Sequence, residues 1–308
     1  MTLQQRVEEL TMAYGNHSRK YIGEFILRKK SRLNEYSIQQ IADETYTSKA
    51  ALVRFAKSLG FGGWREFVKE FVAEQRYQEN HYSDIDPNFP FEEGDSTTDI
   101  IQKMCSLQVE SILDTADLLS AHTIDQIAKL LQRSHRIAVF GMNPNILLCE
   151  LFRRRMMTIQ KPVDLSLLGD SGLLASSLTK DDCAILISYS GNTEVREPMN
   201  LVSLLKAQHV PMIAITSSGD NKLRRHADYT LSISSREKLY SKISTFATEK
   251  SIQFILDIIF SAYFSLSYQE HLKSKIKTGR ILEHSRIATN QELCETALEE
   301  NKEGEILP

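Results

Sequence analysis

Residues 184–195 read AILISYSGNTEV. An apolar run ends at Ser188, and Ser188, Ser190, Asn192 and Thr193 then surround Gly191 within six residues. Short hydroxyl and amide side chains donate hydrogen bonds without blocking the backbone, and glycine lets the chain fold close to a bound group. A helical pattern follows over Val195 to Ala207, although Pro198 cannot sit undisturbed in a helix interior and moves the expected regular start to about Glu197. A helix start presents unpaired N–H groups and about half a positive charge. The combination suits an anion, most simply a phosphate. A plain capped turn uses the same residue types, since Ser, Asn and Thr cap helices in any case.

A second group of residues suits a polyanion. In YSIQQIADETYTSKAALVRFAKSLGFGGWREF, residues 36–67, Ser37 and Gln40 form a capping-box pattern, and Ile38, Ile41 and Ala42 make one apolar face. ETYTS interrupts the pattern, Ser48 is a good N-cap, and Leu52, Phe55 and Leu59 form the buried stripe of a second helix ended by Gly60. Its outward positions are Lys49, Ala50, Val53, Arg54 and Lys57. Two short helices with a tight turn, the second basic on its outer face, match a helix-turn-helix. Ala50 allows close approach to base edges, and Arg54 reaches a guanine or a phosphate. A helical self-association module with a solvated basic face fits the same pattern. Charge favours the polyanion: residues 1–76 hold 13 Lys/Arg against 9 Asp/Glu, and the remainder 24 against 31, a front end of +4 on a body of −7.

The elements that must position these residues can be read outward from them. Residues 1–76 contain no proline and show helical spacing throughout, as at Tyr21, Ile22, Phe25 and Ile26. Residues 77–99, acidic and with two prolines, read as a linker. A helix follows with Ile100, Ile101, Met104, Leu107, Ile112 and Leu113 as its apolar stripe, then a shorter one over Thr123 to Gln132. From Arg136 the texture changes. RIAVFG, CAILIS and PMIAIT are buried strands, and weaker ones lie at Val163–Leu165 and Tyr229–Ile233. Helices between them, near Leu147–Ile159 and Leu173–Leu178 among others, predict a parallel sheet covered on both faces. One long helix is expected from about Ala247 to Leu272, with a helical tail after Thr278.

With 308 residues, 42% hydrophobic and 25% charged, the chain has the composition of a two-domain soluble protein. It has no run of 18 apolar residues and no basic-then-apolar leader, so a cytoplasmic protein without a membrane segment is expected. The four cysteines, Cys105, Cys149, Cys183 and Cys294, are widely spaced, which argues against a zinc site or a disulfide framework.

The stretch from Ser37 to Phe67 resembles the N-terminal domain of RpiR-type transcriptional regulators, most specifically in VRFAKSLGFGGWREF, with Ala51 where that family usually has Thr. SYSGNT resembles the phosphosugar-binding signature of SIS (sugar isomerase) domains, and the strand–helix pattern fits from about Arg136 to Leu272. The resemblance implies an all-α helix-turn-helix domain over residues 1–76, then the linker. A doubly wound parallel α/β domain of SIS type with its leading helices follows over 100–278, and a C-terminal helix and tail over 279–308. It implies that operator DNA meets Ser48, Lys49, Ala50, Val53, Arg54 and Lys57. Ser188, Ser190 and Thr193 would hold the phosphate of a sugar effector, with Tyr189, Gly191 and Asn192 in the loop and Thr216, Ser217 and Glu249 around it. After the first strand the family commonly has a G-x-G-x-S loop. Here it is GMNPN, with Asn143 and Asn145 replacing the second glycine and the serine, so the amides can still donate but the close backbone approach is lost. No cofactor or metal is expected, and a homodimer or tetramer is. The alternative is a sugar-phosphate isomerase using Glu249, Glu283 or His284 as its base. A helix-turn-helix gives such an enzyme nothing, which favours the regulator.

Overall fold

In this computed structural model, the residues described are 3–12, 17–81, 85–166, 169–234 and 236–283. They form thirteen α-helices and five strands. In chain order the first helices are α1 (Leu3–Met12), α2 (His17–Lys29), α3 (Ile38–Glu44), α4 (Lys49–Ser58), α5 (Trp64–His81), α6 (Thr97–Asp117) and α7 (Ala121–Arg133). Then come β1 (Ile137–Gly141), α8 (Asn145–Thr158), β2 (Val163–Leu165), α9 (Ser171–Ser176), β3 (Cys183–Ser188) and α10 (Val202–Ala207). The chain continues through β4 (Met212–Ser217), α11 (Lys222–His226), β5 (Tyr229–Ile233), α12 (Phe246–Ser265) and α13 (Tyr268–Glu283). Contacts divide it into two compact units, Met1–Asp114 with Ser235–Ala247, and Thr115–Ser234 with Thr248–Pro308.

The first unit carries the helix-turn-helix. Ser37 caps α3 with a full capping box, Ser48 accepts the Ala51 N–H at the start of α4, and Gly60 follows α4 with φ +90°. Leu52 and Phe55 of α4 and Leu59 at its C-cap are buried as their spacing predicts, together with Ile22, Phe25 and Ile26 of α2, while Tyr21 faces outward. Phe67 centres this core, stacking on Phe71 at 5.6 Å and meeting Phe55 at 6.2 Å and Trp64 at 5.3 Å. Each fully buried ring contributes about 1.5–3 kcal/mol through loss of apolar surface.

The second unit is a five-stranded parallel sheet in the order β2-β1-β3-β4-β5. The central strands β1, β3 and β4 are buried on both faces and alternate between two cores. Ile137, Val139, Ile185, Ile187, Ile213 and Ile215 face α7, α8 and α12, while Ala138, Phe140, Ala184, Leu186 and Ala214 face α9, α10 and α11. That is the doubly wound arrangement, with a topological switch point between β1 and β3.

Four expectations change. The helix expected over Val195–Ala207 begins only at Val202, after a 3-10 turn over Met199–Leu201, because Pro198 and side-chain ties hold the preceding loop open. The long helix expected over Ala247–Leu272 is two helices bent by 110°. His271 closes the bend by stacking on Tyr263 at 5.1 Å and bonding the Phe264 carbonyl through Nδ1 at 2.9 Å. Residues 77–81, read as linker, continue α5. In α6 only Leu107 of the expected apolar stripe is fully buried. Ile101 and Leu113 are exposed, and the inward face carries Glu110, which pairs with Arg236 at 2.9 Å. No single helix among the described residues is long and apolar enough to cross a membrane.

Candidate functional site

β1 and β3 lie side by side in parallel register, and the helices that follow them pack on opposite faces of the sheet, which is the position where a doubly wound sheet takes its ligand. Gly141 closes β1, and a Cβ on it would meet the Ile187 carbonyl at 3.3 Å. Asn145, the first residue of α8, has its Cβ 3.9 Å from that same point, so it stands beside both strand ends. Asn143 is exposed in the turn between them.

The hydroxyl loop leaves the end of β3. It is not mounted on a helix N-terminus, as its sequence suggested, since α10 starts nine residues beyond Thr193. The loop is instead fastened sideways to β4 and α11. The Ser217 N–H and Thr216 Oγ1 donate to the Tyr189 carbonyl at 3.1 and 3.3 Å, and the Leu223 N–H donates to the Gly191 carbonyl at 2.9 Å. The Lys222 N–H donates to Asn192 Oδ1 at 3.0 Å, and Lys222 Nζ pairs with Glu194 at 2.6 Å. That ion pair holds the Glu194 carboxyl below its usual range. At the far end the Ser171 hydroxyl bonds Glu197.

Within the loop Ser188 Oγ accepts the Gly191 N–H at 3.2 Å, which leaves its own proton to donate. Ser188, Tyr189 and Ser190 are half-buried, and Asn192 and Thr193 are exposed. Thr216 is fully buried, and its hydroxyl is committed both to Tyr189 and to the Asn221 amide, so it supports the loop from beneath. Ser217 is nearly buried beside it. Glu249 is half-buried in the first turn of α12. Glu283 closes α13, and His284 lies outside the described residues.

Sequence reasoning missed two residues here. Asn221 is buried, caps α11 by accepting the Arg224 N–H at 2.9 Å, and donates to Thr216 Oγ1 at 3.1 Å. Gly191 packs against it at φ +61°, and a Cβ there would lie 2.4 Å from Asn221 Oδ1. Arg224 brings a guanidinium to the carboxyl ends of β4 and β5, donating to the Ser217 carbonyl at 3.1 Å and to Ser232 Oγ at 2.7 Å. Burial lowers its pKa. The only local sign of either was an asparagine just ahead of a short helical pattern.

On α4, Ser48, Lys49, Ala50, Arg54 and Lys57 are exposed, whereas Val53 is half-buried against the core and is less outward than its spacing suggested. Among the described residues, no ion pair or hydrogen bond engages the side chains of Lys49, Arg54 or Lys57. Some other cations on this unit are matched, as in Arg32 with Glu35 at 3.0 Å. Lys49, Arg54 and Lys57 thus present three open charges on the second helix of the motif.

Fold and site together define a helix-turn-helix protein with a doubly wound α/β body. The profile of the helix-turn-helix domain of the rpiR family matches residues 2–77, and that of the SIS domain matches residues 130–255, together more than half of the chain. The chain belongs to the RpiR-type transcriptional regulators. An uncharacterized HTH-type transcriptional regulator of Haemophilus influenzae is 27% identical over 273 residues, covering 88% of this chain and 93% of its own. One from Clostridium perfringens is 26% identical, covering 85% of this chain and 92% of its own. Among solved structures, the Vibrio vulnificus NanR protein complexed with ManNAc-6P superposes with a TM-score of 0.57 at 18% identity, covering 94% of this chain and 100% of that one. The sugar isomerase domain of an RpiR transcription factor from Sphaerobacter thermophilus gives 0.51 at 14% identity, covering 59% of this chain and 98% of that one. The sequence relatives carry the names of transcriptional regulators, and the solved structures share the fold.

Proposed function

We infer that this chain is a sequence-specific DNA-binding regulator whose SIS domain senses a phosphorylated sugar. Residues 1–76 would bind operator DNA through α4, with Lys49, Ala50 and Arg54 nearest the bases. Residues 100–278 would bind the effector. The observation that carries the reading is the loop Ser188–Thr193, prefastened at the switch point of the sheet with hydroxyl and amide donors exposed or half-exposed. Ser188, Ser190 and Thr193 are assigned to the phosphate, with the Tyr189 and Gly191 backbone, and Asn145 to the sugar end. The SIS match and the sugar phosphate bound to the NanR protein support the ligand class. A cytoplasmic location and a homodimer or tetramer accompany this reading, since a helix-turn-helix commonly reads a pseudo-palindrome as a two-fold pair.

A thermal-shift screen tests it. A sugar phosphate should raise the melting temperature and alter DNA binding, and the matching neutral sugar should do neither. Equal responses to the neutral sugar and its phosphate would reduce the loop to a plain turn.

A further inference from the structure

Tyr46 lies in the turn between α3 and α4 with φ +50° and is 92% exposed. In that left-handed conformation a Cβ crowds the following carbonyl oxygen, so glycine is the default residue, and helix-turn-helix turns often use it. A bulky aromatic residue there is an outlier. The turn itself has no need of the ring. Thr45 Oγ1 bonds the Ile41 carbonyl at 2.7 Å and Thr47 Oγ1 at 2.8 Å, and the Thr47 N–H bonds the Ala42 carbonyl at 2.8 Å. Tyr36 shows what a structural tyrosine does in this unit. Its ring meets Phe25 at 5.4 Å and its hydroxyl meets Lys29 Nζ at 2.6 Å.

A strained residue whose side chain stands in solvent points to a task outside the fold. The place of Tyr46 says which task. It lies two residues before Ser48, the N-cap of α4, and the N-terminal end of a recognition helix is the end that approaches base edges. Lys49 and Arg54, exposed and unpaired, draw the phosphate backbone to this surface. A tyrosine hydroxyl is a common donor to phosphate oxygens, and such contacts set the register of a helix in the groove.

We propose that Tyr46 is a DNA contact: its phenol hydroxyl donates to a phosphate oxygen beside the bases that α4 reads, and the left-handed turn is tolerated for that contact. The proposal rests on the reading of α4 as the DNA-reading helix.

The test uses the full chain and a duplex selected by the wild-type protein from a random-sequence pool, with Tyr46→Gly, Tyr46→Phe and Arg54→Ala compared. Tyr46→Gly should melt at or above the wild-type temperature yet bind the duplex roughly tenfold more weakly, and Tyr46→Phe should reproduce most of that loss. Because the phenol is neutral, the salt dependence of both should match wild type, while Arg54→Ala flattens it. Wild-type affinity of Tyr46→Gly beside a weakened Arg54→Ala overturns the Tyr46 contact alone. Wild-type affinity of Tyr46→Phe beside a weakened Tyr46→Gly overturns the hydroxyl bond. A lowered melting temperature for Tyr46→Gly means that the ring serves the fold and overturns the proposal. Failure to select any duplex, or unchanged binding by Arg54→Ala, removes the DNA-reading helix and the proposal with it.

Discussion

Replacing Gly191 by alanine should disable the hydroxyl loop, and the structure sets the size of the effect. At φ +61° an L side chain costs about 1–2 kcal/mol. The new Cβ would lie 2.4 Å from Asn221 Oδ1 and 2.9 Å from Thr216 Oγ1, closer than packed atoms come. Both neighbours are buried and bonded, so neither can step aside freely. Overpacking of this kind costs about 1–3 kcal/mol, and losing the Asn221 cap about 1 kcal/mol. If the loop holds its place, Gly191→Ala should destabilise the second unit by about 3–6 kcal/mol. If the loop swings out, the loss is smaller but sugar-phosphate binding disappears. Amide hydrogen exchange distinguishes the two, because the Leu223 N–H is bonded to the Gly191 carbonyl at 2.9 Å and the Arg224 N–H to Asn221 at 2.9 Å. Arg224 alone loses protection if the loop stays and pushes Asn221 away; Leu223 alone loses it if the loop leaves. In an Asn221→Ala background the main clash is gone, so Gly191→Ala should cost only its conformational part of about 1–2 kcal/mol, a coupling of about 2–4 kcal/mol. Wild-type stability, wild-type protection at both amides and an unchanged ligand response in Gly191→Ala would refute the account.

The other expected outcomes concern separate parts of the chain. Ser190→Ala should weaken effector binding about tenfold or more, since a hydrogen bond to a charged group is worth about 1.5–3 kcal/mol, and should leave ligand-free DNA binding intact in a gel-shift titration. Arg54→Ala and Lys49→Ala should each weaken operator binding, by about 1–3 kcal/mol for a base contact, with the salt slope falling by about one for a phosphate contact. Burial pushes the Cys149 and Cys183 thiols up to about 12, so below that pH both stay protonated and unreactive while folded, whereas exposed Cys105 should react with a thiol reagent in the native protein. Rapid native labelling of Cys149 would contradict the packed face between α8 and the sheet. Analytical ultracentrifugation should give a dimer or tetramer, and a monomer at working concentration would remove the two-fold reading of DNA.

The strands are legible in the sequence because burial on both faces turns them into unbroken apolar runs, as in CAILIS, and even the three residues of β2 declare themselves. The turn motif is equally legible: Ser37, Gln40, Ser48 and Gly60 act within a few residues of where they stand. What escapes local reading depends on distant partners. The start of α10 is set partly by ties from Asn192 and Glu194 to Lys222, some thirty residues away. The break between α12 and α13 follows from a ring stack that joins Tyr263 to His271. The polar inner face of α6 is satisfied in part by Arg236, which reaches Glu110. Asn221 packs against Gly191 thirty residues earlier, and Arg224 reaches Ser217 and Ser232 on two strands, so nothing in their own neighbourhood marks them as part of the site.

The way the loop is held also limits its part in any switch. A ligand shifts an equilibrium only by its difference in affinity for the two states. A tenfold shift needs about 1.4 kcal/mol of difference, within reach of one charge-assisted hydrogen bond. The loop, however, is fixed before ligand arrives: Tyr189, Gly191, Asn192 and Glu194 are each bonded to β4 or α11. Donors that do not move hold a phosphate equally in both states, which adds affinity and no response. The loop is therefore suited to be the anchor. The difference must arise where the sugar end meets groups with fewer ties, and the GMNPN turn fits that description, with Asn143 exposed and Pro144 giving α8 no side-chain cap. On this argument, loss of the loop hydroxyls raises the ligand concentration needed without changing the size of the full response. Substitution of Asn145 instead reduces the response at saturation. Titrating the change in DNA binding against sugar phosphate for Ser190→Ala and Asn145→Ala separates the two behaviours, and a reduced plateau in Ser190→Ala would show that the anchor itself moves.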